Sequence, residues 1–315
     1  MTPTSLTLEG LHHITAITAD APRNVDFYAR VFGLRLVKKT VNFDQPDVYH
    51  LYYGDEHGKP GSILTFFEFP NAAGGTAGDG MVHTIQWRVA STAALEFWAA
   101  RLAANEVATR FADDGSLRFD DPEGLTHELV VTGDIADTPL VAAADDIPAE
   151  HALQGFHGVR AYASRPQASA DVLTHLGLTS DDGTTWAAQG ADRQGAITYE
   201  APAGGRGRPG AGTIHHIAWS AADDFELDAF RKEAASGGAH PTGIIDRQYF
   251  HSVYFREPSG ILFELASRDI GFDIDEPGAT LGSELKLPPQ YESRRATIAA
   301  QLTPIVNPRQ APVAS

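Results

Sequence analysis

Thr213-Ile214-His215-His216-Ile217-Ala218-Trp219 is an apolar run interrupted by two adjacent histidines. Nearly the same string opens the chain, as Leu11-His12-His13-Ile14-Thr15-Ala16-Ile17. Both read as buried strands. Neighbouring side chains on a strand point to opposite faces, so one histidine of each pair can face a shared cavity while the other supports it from behind. Two more segments begin in a related way: Met81-Val82-His83-Thr84-Ile85 and Phe156-His157-Gly158-Val159. Similarity at four places marks a repeated unit.

Each opening is followed by apolar residues at helical spacing. Val25, Phe27, Tyr28, Val31 and Phe32 supply it in the first unit, before Gly33. Ala94, Phe97, Trp98 and Leu102 do so in the second. Ala170, Val172, Leu173 and Leu176 precede Gly177 in the third, and Leu227, Phe230 and Ala234 precede Gly237-Gly238 in the fourth. Glycine just past the periodic residues is a helix stop. β-like runs come next, at 48–53 and 62–67, 116–119 and 125–131, 185–188 and 196–200, and 248–256 and 261–266. Asp121-Pro122-Glu123-Gly124 and Glu257-Pro258-Ser259-Gly260 are β-turn signatures between the last two runs of units two and four; unit one has Lys59-Pro60-Gly61 there. Each unit reads βαβββ. The fold class is α+β: four such modules paired into two domains of curved mixed β-sheets that enclose a pocket. Residues 8–133 form an N-terminal module pair and 153–271 a C-terminal pair. Residues 134–152, rich in Ala, Asp and Pro, link them, and 272–315 are a tail with one helix near 292–302 and disordered final residues.

Composition narrows the function. Lys plus Arg is 24 against Asp plus Glu 41, a formal charge of −17. Nucleic acid and anionic membrane surfaces both require basic patches and are disfavoured as partners. A small anionic ligand remains compatible, since a local metal outweighs the global charge. Cysteine is absent, which excludes disulfides and thiolate metal sites. No run approaches the length of a membrane span, and the N-terminus lacks a signal-peptide pattern, so a cytoplasmic protein is expected.

Histidines on first strands and a glutamate on a last strand resemble the vicinal oxygen chelate superfamily, which groups glyoxalases, bleomycin-resistance proteins and extradiol dioxygenases. The chain is most similar to its hydroquinone ring-cleaving branch. Gly10 to Thr15, Thr213 to Ile217, Arg247, Tyr254, Glu264, and the tail segments Leu281-Gly282 and Leu285-Lys286-Leu287-Pro288 carry the likeness. It implies a dioxygenase that takes a small aromatic substrate and O2, and it leaves room for a homo-oligomer.

Comparing the repeats shows which site positions are filled. With Trp87 and Trp219 as anchors, the slot of His216 holds Thr84 in unit two and Gly158 in unit three. Counting from each turn glycine, Glu264 corresponds to Glu128, Thr65 and Tyr199. Units one and four together supply two histidines and a carboxylate: His13, His216 and Glu264. That is the ligand set of a facial triad for Fe(2+), with Mn(2+) as a variant, and it leaves about three coordination positions open. A glyoxalase-type lyase needs a further ligand from the first unit's last strand, where Thr65 stands and Glu68 has the opposite parity. Glu128 is expected to be structural.

The resemblance implies the other roles. His12 and His215 stand behind the ligands, and one of them takes the phenol proton and returns it later. Tyr254 hydrogen-bonds an oxygen at the metal, Arg247 steadies negative charge, Thr15 lines the pocket, and His251 is a spare candidate. Plainer readings stand beside these: Glu264 in a salt bridge, Tyr254 in packing, Arg247 in a surface ion pair. His50, His83, His127, His157 and His240 are expected to be structural. Competing functions are an extradiol catechol dioxygenase, a metal-dependent isomerase or lyase, and a metal-free quinone- or drug-binding resistance protein.

Overall fold

A computed structural model describes residues 6–133 and 135–308. The first unit runs β1 (Leu11–Thr18), α1 (Ala21–Val25), β2 (Arg35–Val41), β3 (Tyr49–Gly54) and β4 (Ile63–Glu68). Asp20 caps α1 through Arg23 N, and Pro22 occupies its first turn, where a missing N–H costs nothing. The helix then widens into a π-helical turn at Asp26–Val31. The second unit is β5 (Met81–Val89), α2 (Thr92–Ala104), β6 (Thr109–Phe111), β7 (Leu117–Asp120) and β8 (Thr126–Val131). The third is β9 (Phe156–Tyr162), α3 (Ala170–His175), β10 (Thr185–Gln189) and β11 (Gln194–Glu200). The fourth is β12 (Ile214–Ala221), α4 (Asp224–Ser236), β13 (Ile245–Asp246), β14 (His251–Arg256) and β15 (Leu262–Ser267).

The βαβββ pattern therefore needs one correction. After α3 the expected strand shrinks to a bridge between Thr179 and Ala187. Its sequence, Thr179-Ser180-Asp181-Asp182-Gly183, is turn chemistry: Asp182 Oδ1 accepts from the N–H groups of Thr184 and Thr185. The turn signatures hold elsewhere. Gly124 and Gly260 have φ of 93° and 106°, and their N–H groups close the turns onto Asp121 and Glu257.

Two sheets result, ordered β13-β14-β15-β12-β1-β4-β3-β2 and β10-β11-β9-β5-β8-β7-β6. Hydrogen-bonded pairing thus joins unit one to unit four and unit two to unit three. Consecutive units meet by packing instead. Tyr28 from the π-helical turn donates to Asp121 of unit two at 2.8 Å, and the Phe32 ring lies 5.3 Å from Trp87. In the other half, Ser169 bonds Glu257 and Ser259. The segment at 134–152 divides the chain by order, and both sheets cross that division. Trp87, Trp98 and Trp219 are among the largest fully buried side chains.

The tail carries a 3-10 turn at Pro289–Arg294 and α5 (Arg295–Gln301), close to the expected helix. Residues 309–315, where disorder was expected, lie outside the described residues. No helix among the described residues is long and apolar enough to cross a membrane.

Candidate metal centre

β1 and β12 pair antiparallel at the middle of the larger sheet. His13 stands opposite Ala218, and Thr15 opposite His216. On the other side of β12, Ala218 is in register with Glu264 of β15. Strand parity turns His13, Thr15, His216 and Glu264 to one face. His13 Nε2 lies 3.2 Å from Glu264 Oε2, His216 Nε2 lies 2.9 Å from it, and the two nitrogens are 3.4 Å apart. All three residues are buried. Among the described residues, this is the group of His, Asp and Glu whose ligand atoms converge closely enough to hold an ion.

The hydrogen bonds behind these atoms decide where the protons sit. His12 Nε2 lies 3.0 Å from the Ser267 carbonyl, which can only accept. Burial lowers the His12 pKa to about 3, so the ring is neutral and its Nδ1 is bare. That Nδ1 lies 3.0 Å from His13 Nδ1, which must then donate. With a single proton on Nδ1, the His13 ring turns an Nε2 lone pair toward the cluster. The His215–His216 pair repeats the Nδ1–Nδ1 contact at 2.7 Å, and a proton placed on His216 Nδ1 bares its Nε2 as well. Burial also lowers the His216 pKa, which favours the neutral ring. Glu264 Oε2 has no hydrogen-bond partner, while Ser252 Oγ donates to Oε1. Two imidazole nitrogens and a carboxylate oxygen, buried and converging on one point, fit a cation.

A cavity of about 50 Å³ adjoins the cluster, lined in part by His13, Thr15, His50, Tyr52, Phe67 and His216. An outer cleft of about 250 Å³ shares His216, Phe67, Arg247 and Tyr254 with it and adds His215. The Tyr254 ring meets His216 edge-on at 5.8 Å, and Arg247 Nε donates to its hydroxyl at 3.3 Å. Arg247 continues outward to Asp44 at 3.4 Å. His12 sits behind the cluster, and His215 is exposed beside the outer cleft.

His251 does not join the cavity. It has the opposite strand parity to Ser252 and Tyr254, and its Nδ1 pairs with Asp224 at 2.6 Å. His50, expected to be structural, lines the cavity instead. Phe250, which no sequence argument singled out, meets His12 edge-on at 5.1 Å and His13 at a tilt at 4.9 Å. Thr65 donates to Thr15, and Glu68 accepts from Ala21 N, so neither brings a fourth ligand to the cluster.

The smaller sheet holds the equivalent place differently. Glu128 is fully buried and accepts from Arg160, Arg118, Ser116 and Gln86. Guanidinium groups occupy the role a cation would have. His127 is tied to Trp87 and Tyr28 at 3.0 Å each, as a packing residue.

The model of the glyoxalase/bleomycin resistance protein/dioxygenase superfamily matches residues 10–129 and 151–265. The chain belongs to that superfamily. MhqO of Bacillus subtilis (strain 168), a candidate ring-cleaving dioxygenase, is 41% identical over 306 residues, covering 94% of this chain and 96% of MhqO. The chlorohydroquinone/hydroquinone 1,2-dioxygenase of Sphingobium indicum is 33% identical over 320 residues, covering 90% and 93%. The crystal structure of a candidate dioxygenase from Bacillus subtilis superposes with a TM-score of 0.88 at 39% identity, covering 96% of this chain and 99% of that one. Glyoxalase I from Zea mays, at 15% identity and a TM-score of 0.56 over 82% of this chain and 92% of its own, shares the fold.

Proposed function

We propose that this superfamily member is an Fe(II)-dependent dioxygenase that opens the ring of hydroquinone-type aromatics. The observation that carries the reading is the cluster of three converging donor atoms from His13, His216 and Glu264, reached from a small cavity. The similarity to a chlorohydroquinone/hydroquinone dioxygenase supports the substrate class. Iron, when bound, supplies an open coordination face that favours a phenolate and admits dioxygen. The protein's own residues do the rest. His215, exposed in the outer cleft, engages His216 through its Nδ1 and so presents its Nε2–H to the substrate oxygen and to solvent, where a proton can be exchanged. Tyr254 and Arg247 present hydrogen-bond donors from one wall, and Phe67 and Phe250 confine the ring. In balance, one ring C–C bond beside a hydroxyl-bearing carbon breaks and both atoms of O2 enter the product, so no external reductant is consumed.

Metal analysis joined to oxygen uptake with a panel of hydroquinones and catechols tests this. Bound iron and oxygen consumption with hydroquinones are expected. Iron-loaded protein that consumes no oxygen with any hydroquinone overturns the reading; preference for catechols moves it to extradiol cleavage. His13→Ala, His216→Ala and Glu264→Ala are each expected to lose iron while remaining folded by circular dichroism.

A further inference from the structure

Tyr52, His50, Thr65 and Thr15 form one chain of hydrogen bonds along the cavity wall. Its direction is fixed. Thr65 Oγ1 donates to Thr15 Oγ1 at 3.0 Å. The Thr65 proton is thereby used, so the 2.8 Å contact with His50 Nε2 must be donated by the histidine. Burial pushes the His50 pKa well below its usual value, so the ring carries one proton, and that proton is on Nε2. His50 Nδ1 is then an acceptor, and the Tyr52 hydroxyl donates to it at 2.8 Å. The relay runs one way, from Tyr52 to Thr15. Among the described residues no protein acceptor takes the Thr15 proton. Thr15 lines the cavity next to His13 and His216.

We propose that His50 is a positioning residue which, through Thr65, holds the Thr15 hydroxyl as a fixed donor toward a deprotonated phenol oxygen in the cavity. The proposal rests on the ring-cleavage reading above and extends it to the form of the substrate that is bound. A free hydroxyl can rotate to donate or accept; one whose lone pair is already engaged by Thr65 favours donation. Hydrogen bonds to a charged acceptor are about twice as strong as neutral ones, so such a wall selects the phenolate over the phenol. If the four groups served only to satisfy one another, the chain would close on a protein acceptor. It ends instead on the cavity.

The test is an anaerobic titration of the iron-loaded full-length protein with 4-nitrophenol, whose phenol and phenolate forms absorb differently, with iron measured in parallel. The wild type is expected to bind the phenolate. His50→Leu and Thr65→Val should each weaken that binding about tenfold, the factor one charge-assisted hydrogen bond supports, with iron content unchanged. His50→Gln, which retains an N–H donor toward Thr65, should recover most of the loss. Thr15→Val should cost about as much as His50→Leu, and combining the two should cost no more than either alone. Equal losses from His50→Leu with and without the Thr15 hydroxyl, or unchanged binding in His50→Leu or Thr65→Val, overturn the relay. Iron loss from both of those variants assigns the chain to structure and overturns it as well. A wild type that binds iron but not the phenolate refutes the relay and leaves the metal site standing. A wild type that binds no iron removes the reading beneath it.

Discussion

His12 and His215 never reach the converging atoms, yet they decide whether those atoms are free to bind. His12 hands its one proton to the Ser267 carbonyl and so requires His13 to point its own proton backward. Partners of this kind typically change metal affinity 10–100-fold. His12→Phe is therefore expected to keep the fold and weaken iron binding by about that factor, read by competition with a chelator; unchanged affinity would show that His13 is oriented by packing against Phe250 alone. The three converging positions were legible in the sequence because two counts pointed to the same pair of units, one from a tryptophan anchor and one from a turn glycine. His50 was not. It stands in a strand with no repeated partner, and its place is set by the pairing of His50 with Phe67 across β3 and β4. His251 was misplaced for a reason the sequence did contain: it is three residues from Tyr254, so the two cannot share a face of one strand.

The two sheets are built from similar units, and the contrast between them is electrostatic. Burial alone would raise the Glu128 carboxyl, but Arg160, Ser116 and Gln86 hold it down to about 2. A carboxyl whose folded pKa lies below its unfolded value of about 4.5 stabilises the fold above that value. The stability is lost as pH falls through 4.5 toward 2. Glu128→Gln leaves Arg160 and Arg118 facing a neutral group, and breaking a buried pair in this way costs about 3–5 kcal/mol near neutral pH. The gap between wild type and variant in urea melts should narrow steadily below pH 4.5. A gap independent of pH would mean that packing, not charge, is what Glu128 supplies. Repeat openings, helix stops and Pro–Gly turns made the units readable at this scale. The strand after α3 was overestimated because Asp182-Gly183 forms its own turn. Sheet pairing was readable only through the site, since no local pattern in β1 names β12 as its neighbour.

Across the whole molecule, the tail ties units one and four together behind the cavity. Lys38 of β2 is fully buried, and its amine lies 2.6 Å from Asp275 and 2.9 Å from Glu276. Asp275 Oδ2 also accepts from Gln248 Nε2 at 2.8 Å and from the Tyr249 hydroxyl at 3.0 Å. Gln248 sits at φ 67°, an uncommon conformation for a residue other than glycine. The loop it belongs to presents Arg247 on one side and Phe250 on the other. Phe272 packs 5.1 Å from both Tyr52 and Tyr249, so the tail also backs the wall that carries the relay. Lys38→Met removes the cation and leaves Glu276 buried beside an apolar chain, although three backbone N–H groups from Gly282, Ser283 and Glu284 still reach it. A loss of about 3 kcal/mol is expected. Adding Glu276→Gln should restore part of it, because the uncompensated charge is gone. His13, His216 and Glu264 lie on β1, β12 and β15 and do not touch this cluster, so iron content should be unchanged in both variants. KM for hydroquinone should rise more than kcat falls, since the displaced loop orients substrate rather than metal. A variant with reduced thermal midpoint and unaltered KM would make the tail a clamp on the fold with no part in the site.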